Sequence, residues 1–172
     1  MRPVLLPFLF LLAAAAPEAR GQALPSQVGT WLDAGLGGGN SGLNAAISVT
    51  RRSGLHGLTV RGLAAARIRI AIFERTSART FAELGLLYGL HGRSGSTLYT
   101  ARAGIGAIWY HREYSDSTPA YDVNAEFGVP WEVGVTQVLG NNVGLGVKLV
   151  GNVNPYHTNI GGLLVLHLGQ AW

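Results

Sequence analysis

Tyr121, Val123, Ala125, Phe127, Val129, Trp131, Val133 and Val135 occupy alternate positions, with Asp122, Asn124, Glu126, Gly128 and Glu132 between them. A period of two over this length predicts a β-strand with one apolar face. The apolar row is bracketed by Tyr121 and Trp131, ten residues apart, and the preceding alternating segment carries Tyr99 and Trp109 at the same interval. Ten residues at about 3.3 Å each, inclined by about 40° to a membrane normal, climb roughly 25 Å, the height of the apolar belt between the aromatic girdles of a membrane-spanning barrel. Tyr99, Trp109, Tyr121 and Trp131 are therefore expected as girdle residues of a transmembrane β-barrel.

Residues 1–23 hold Arg2, an apolar run from Val4 to Ala16 broken by Pro7, and the small residues Gly21 and Ala23. This is the pattern of a cleaved signal peptide, its core too short to span a bilayer as a helix. The expected division is a signal peptide over 1–23 and one barrel domain over 24–172. Hydrophobic residues make up 48% of the chain, yet beyond the signal every apolar run is soon broken by a polar residue. No helical span is expected, and alternation must account for the apolar content. With no cysteine, an exported fold has to be held by a closed hydrogen-bond ladder and by packing. Without the signal the chain has eleven Arg and Lys against eight Asp and Glu. These cations are scattered singly apart from Arg51-Arg52, which argues against nucleic-acid binding.

Alternation and turn signals together predict eight strands, near 29–38, 42–52, 57–73, 80–92, 97–112, 120–136, 143–153 and 159–172. The fold class is all-β: an eight-stranded antiparallel up-and-down barrel, monomeric, with both termini on the periplasmic side. Arg93-Ser94-Gly95-Ser96 and Leu139-Gly140-Asn141-Asn142 read as short periplasmic turns, and the stretch from His111 to Ala120 as the longest outer loop. Within strands, Gly85, Gly89, Gly104, Gly106, Gly128, Gly134, Gly144 and Gly146 fall mostly opposite the apolar register. Small residues there leave room for long polar side chains in a narrow interior. In the first strand Gly35, Gly37, Gly38 and Gly39 blur the phase, and Leu32, Ala34 and Leu36 are assigned outward.

The inward register then carries Arg61, Arg67, Arg69, Glu83, Arg102, Glu126, Glu132, Lys148 and His167. Arg61, Glu83, Arg102, Glu126, Glu132 and Lys148 are the expected lumen polar network. Level aromatic ends would place position 102 opposite 128, with an Arg102–Glu126 contact on the diagonal. A three-residue turn centred on Gly140 would set Glu132 opposite Lys148. The network is read as an ion-pair plug, against the alternative of a small-solute or proton-conducting pore.

The five histidines do not converge on a metal-ligand spacing, so no metal or other cofactor is expected. Tyr156-His157-Thr158-Asn159 is similar to the His-x-Ser-Asn stretch of lipid A deacylases, but Asn159 stands where the serine should be and no serine supplies the nucleophile. A lipid A-modifying enzyme is accordingly a lesser alternative, and the chain is read as no enzyme. Glu74, Arg75 and Arg79, with His111, Arg112 and Glu113, form an outer rim. Its cations could meet lipopolysaccharide phosphates or remain solvated.

The last strand alternates Ile160, Gly162, Leu164, Leu166 and Leu168 and ends at Trp172. A terminal strand of this form resembles the signal read by the barrel-assembly machinery; an ordinary buried strand of a soluble sandwich is the alternative. Leu84-Gly85-Leu86-Leu87-Tyr88-Gly89, Ala103-Gly104-Ile105-Gly106, Gly128-Val129-Pro130-Trp131-Glu132 and Gly144-Leu145-Gly146 resemble a family of small, mostly uncharacterised outer-membrane barrels akin to OmpX and OmpA. The resemblance covers roughly residues 80–172 and implies the fold and a cell outer membrane location, but no activity; outer-membrane lipids, lipopolysaccharide and the barrel-assembly machinery are the expected partners. The expected role is structural or one of surface interaction; a soluble, exported, lipocalin-like lipid-binding barrel is the runner-up.

Overall fold

A computed structural model describes residues 28–69, 77–112, 121–140 and 142–170. The expected signal peptide over 1–23, the loop residues Glu74, Arg75 and Glu113, and Trp172 lie outside the described residues. The strands are β1 (Val28–Gly39), β2 (Gly42–Ser53), β3 (His56–Arg69), β4 (Ser77–Ser94), β5 (Thr97–Arg112), β6 (Tyr121–Val138), β7 (Val143–Val153) and β8 (Asn159–Gln170). They close in sequence order into one antiparallel barrel, β1 pairing with β8. Closure leaves no unpaired sheet edge, the condition for a sheet to stand in hydrocarbon. One end carries the short turns at 54–55, 95–96 and 139–142, where Gly54, Gly95 and Gly140 adopt positive φ. We call it the turn end, and the opposite end the loop end.

The alternation sorts side chains as the period of two requires. Leu36, Leu43, Ile105, Phe127, Leu149 and Leu164 stand on the outside, Leu164 with 72% and Leu43 with 68% of their surface exposed. Trp31, Asp33 and Gly35 face inward on β1, so Leu32, Ala34 and Leu36 are outward despite the glycines beside them. The interior is not uniformly polar. Toward the loop end Leu63, Ala65, Phe81, Ile108, Tyr110, Val123, Val150, Leu163 and Val165 form an apolar core, and toward the turn end Trp31 packs with Leu98.

Three expectations of detail are corrected. Arg102 pairs across the ladder with Glu132, and Gly128 with Gly106. The aromatic ends are thus not level: Tyr99 lies opposite Val135, while Trp131 lies opposite Ala103 and rests over Gly151, where an added Cβ would be 2.4 Å from the indole ring. The register breaks between Ile108 and Tyr110, facing Ala125, a non-glycine residue with φ of 53°. Such a bulge flips the faces beyond it. Val123 points in and Asp122 and Asn124 are exposed. Tyr121 stands opposite Arg112 in the ladder. Glu126, next to the bulge, is exposed. Finally, the turn after β6 spans 139–142, two residues' shift in register from a three-residue turn, so Lys148 lies opposite Gly134 and Glu132 opposite Val150.

Candidate functional site

The middle of the barrel holds a connected set of ionisable side chains. Arg61 on β3 directs Nε and Nη2 to Glu83 Oε1 on the next strand, at 3.0 and 2.6 Å. Its Nη1 reaches across the lumen to Glu132 Oε2 at 3.3 Å and to the Trp131 carbonyl at 3.0 Å. Glu132 Oε1 accepts from Lys148 Nζ at 3.1 Å and pairs with Arg102 Nη1 at 3.2 Å. Lys148 also bonds Asp33 Oδ2 at 2.7 Å, and Asp33 Oδ1 lies 2.7 Å from His167 Nδ1. Asn152 Nδ2 donates to the second oxygen of Glu83 at 2.8 Å, and Trp31 Nε1 to Asp33 at 3.2 Å. Arg102 Nη1 further donates to the Thr50 and Thr59 hydroxyls at 2.8 and 2.6 Å.

Of the residues expected to make the lumen network, Arg61, Glu83, Arg102, Glu132 and Lys148 are buried and within one set of contacts. Glu126 is not among them; the bulge at Ala125 leaves it exposed near the loop end. Asp33, Asn152 and Trp31 join the network without having been expected there. Asp33 was legible in principle, because Trp31, Asp33 and Gly35 share the phase opposite Leu32, Ala34 and Leu36.

These groups stand close together. The interior space bounded by Asp33, Arg61, Glu132, Lys148, Val150 and Leu163 measures about 10 Å³, too little for more than one water molecule. Carboxylates and cations so placed neutralise one another at a desolvation cost that only good geometry offsets. The arrangement can hold opposite walls together.

At the loop end, His157 stacks on Tyr110 with ring centres 4.9 Å apart. Its Nε2 lies 2.7 Å from the Ser41 hydroxyl in the β1–β2 turn. A serine thus does stand beside this histidine, contrary to the sequence reading, although it comes from a distant segment and is itself buried. Among the described residues no carboxylate bonds His157, so the pair lacks the orienting acid of a hydrolytic triad. Burial, and then the nearby Arg79 charge, hold the His157 pKa below the ordinary 6.5. Asn154 Oδ1 accepts from the His157 amide at 2.7 Å, and the Asn154 amide donates to the His157 carbonyl at 2.6 Å. Asn40 ties this loop to the β1–β2 turn through the Thr158 carbonyl at 2.7 Å.

The remaining histidines are dispersed: His56 stacks on Tyr88 outside the barrel, His111 pairs with Asp122 at the loop end, and His91 sits by Trp31 near the turn end. Arg67, Arg79 and Arg112 occupy directly opposed positions on β3, β4 and β5. Tyr99 and Trp109 stand on the outer surface near opposite ends of β5.

No protein-family model matches the chain, and no curated protein matches it. Solved structures do share its fold. Neisserial surface protein A aligns with 12% identity and a TM-score of 0.56, covering 84% of this chain and 96% of the other. The N-terminal β-barrel domain of Pseudomonas aeruginosa OprF aligns with 11% identity and a TM-score of 0.58, over 83% and 99%. The Yersinia pestis outer membrane protein Ail, determined in a phospholipid bilayer nanodisc, aligns with 8% identity and a TM-score of 0.53, over 83% and 99%. At these identities the likeness establishes the eight-stranded barrel fold of outer-membrane proteins.

Proposed function

We propose that the chain is an integral outer-membrane barrel, exported by its signal segment, that acts as a sealed, non-enzymatic scaffold with a structural or surface-interaction role. The observation that carries this reading is the inversion of faces. Leu43, Ile105, Phe127, Leu149 and Leu164 stand outside, while Arg61, Glu83, Arg102, Glu132 and Lys148 are buried within. Water would penalise that exterior and hydrocarbon would not. A soluble lipid carrier of lipocalin type would place its apolar row inside, around a ligand. The loop end then faces the cell exterior and the turn end the periplasm, and closure of the sheet favours a monomer.

Lipopolysaccharide is the expected lipid partner. Like charges directly opposite one another on adjacent strands repel, and Arg67, Arg79 and Arg112 form such a row. Among the described residues neither Arg67 nor Arg79 has a carboxylate partner. Phosphates of the outer leaflet would relieve the repulsion through charge-assisted hydrogen bonds. The alternating face of β8 is the form that the barrel-assembly machinery would engage.

Envelope fractionation tests the placement. The protein should remain in outer-membrane fractions through carbonate and high-salt washes, and release by either wash would contradict it. Lipopolysaccharide retained during purification should fall when Arg75, Arg79 and Arg112 are replaced together by Ala; unchanged retention would remove the lipid contact.

A further inference from the structure

At the turn end of the lumen, buried hydrogen-bond donors outnumber the acceptors that the described residues supply to them. Arg52 on β2, His91 on β4, and Thr100 and Arg102 on β5 are buried there, Arg52 and Arg102 in one rung of the ladder through Gly57 and Gly89. His91 and Thr100 are direct cross-strand partners. The His91 ring fills the space over Gly57, where a Cβ would lie 2.3 Å from Nε2, and Gly57 is the ladder partner of Arg52. One layer deeper, the Arg102 guanidinium lies 5.8 Å from the centre of the Trp31 ring, whose other neighbour is His91 at 5.2 Å.

All four side chains are more than nine-tenths buried. Yet among the described residues Arg52 Nε, both ring nitrogens of His91, Thr100 Oγ1, and Nε and Nη2 of Arg102 have no hydrogen-bond partner. Guanidinium nitrogens can only donate, so what is missing is an acceptor. Charge points the same way. The buried side chains include four cations, Arg52, Arg61, Arg102 and Lys148, against three carboxylates, Asp33, Glu83 and Glu132. The carboxylates are engaged by Arg61, Arg102, Lys148 and His167. Among the described residues Arg52 is the buried cation without one.

We propose that Arg52, His91, Thr100 and Arg102 form a binding site for a small oxyanion, entered from the turn end. Water alone would supply acceptors but leave the charge unbalanced; a singly charged oxyanion supplies both. Its oxygens accept from the two Nε–H groups, from Arg102 Nη2 and from one ring N–H of His91, while the Thr100 hydroxyl donates. Arg52 is one residue from the end of β2, which places its side of the site next to the turn-end mouth. The proposal needs the barrel fold and not a particular membrane orientation, so it stands apart from the cellular role proposed above.

The test follows arginine Nε–H resonances of the protein purified in a phosphate-free detergent, octyl glucoside, during titration with inorganic phosphate and, separately, with short-chain phosphatidylglycerol. Arg52 and Arg102 resonances should shift saturably, with affinity falling at least tenfold in Arg52→Gln and staying unchanged in Arg51→Gln, the neighbouring position on the exposed face of β2. Saturation by phosphate identifies a free ion; saturation by the lipid alone identifies a phosphodiester head group. Absence of saturation by both, or equal affinity in Arg52→Gln, overturns the proposal. Heat-dependent gel mobility reports folding. Should Arg52→Gln not fold, His91→Gln replaces it under the same criteria.

Discussion

Glu132 is the side chain on which most of the lumen depends. It engages Arg61, Arg102 and Lys148, which come from three different strands. Against a hydrophobic replacement of all four groups this cluster has no assured advantage, but removing one partner strands the others in a buried site. Glu132→Gln keeps the volume and removes the charge, so it should lower the unfolding free energy by about 3–5 kcal/mol, read from urea titrations in lipid bilayers. Glu126→Gln, at an exposed position, should stay within about 0.5 kcal/mol. His157 makes a pH prediction. Its folded pKa lies below the ordinary 6.5 because of burial and Arg79, so below pH 6.5 the unfolded chain takes up more protons than the folded one. The stability that the neutral ring contributes is therefore complete above that value and declines as pH falls toward the lowered pKa. Urea midpoints of the parent protein should drop more between pH 7.5 and 5 than those of His157→Gln.

Strands owe their legibility to period, and their registers to details that period does not carry. β5 and β7 span residues 97–112 and 143–153 as alternation predicts, because their outward rows are apolar and their inward rows hold Gly, Arg and Lys. Parity placed Arg61, Glu83, Arg102, Glu132 and Lys148 on one register. The same parity carries Phe81, Ile108, Leu163 and Val165 inside, but the inward row was recognised by its charged members, and Leu163-Leu164-Val165-Leu166, apolar on both faces, offers no contrast to mark an apolar core there. Nor did anything in Asn124-Ala125-Glu126 announce a bulge, as alanine is an uncommon occupant of positive φ. The glycines make a sharper test of strand approach. A Cβ on Gly104 would stand 1.9 Å from the Leu86 carbonyl oxygen of β4, whereas one on Gly92 would meet nothing within 4 Å. Gly104→Ala should therefore destabilise by about 1–3 kcal/mol, and Gly92→Ala by no more than about 0.5 kcal/mol, in the same bilayer assay.

Taken whole, the molecule is a cylinder whose two ends close differently. Aromatic and aliphatic side chains fill the loop end under the His157–Tyr110 stack, ion pairs cross the waist, and Trp31 with Leu98 stands near the turn end. The space beside Asp33, Arg61, Glu132 and Lys148, about 10 Å³, has no room for a hydrated ion. Purified protein in planar bilayers should give no conductance steps, while Glu132→Ala, which removes side-chain volume as well as charge, is the variant in which steps should first emerge. The central claim is that hydrocarbon wets the exterior. Spin labels at Ile105, Phe127 and Leu164 in reconstituted bilayers measure this directly by collision with oxygen and with a water-soluble nickel complex. High oxygen accessibility with low nickel accessibility at all three is the predicted result; nickel accessibility equal to that of a label at exposed Asn124 would contradict it.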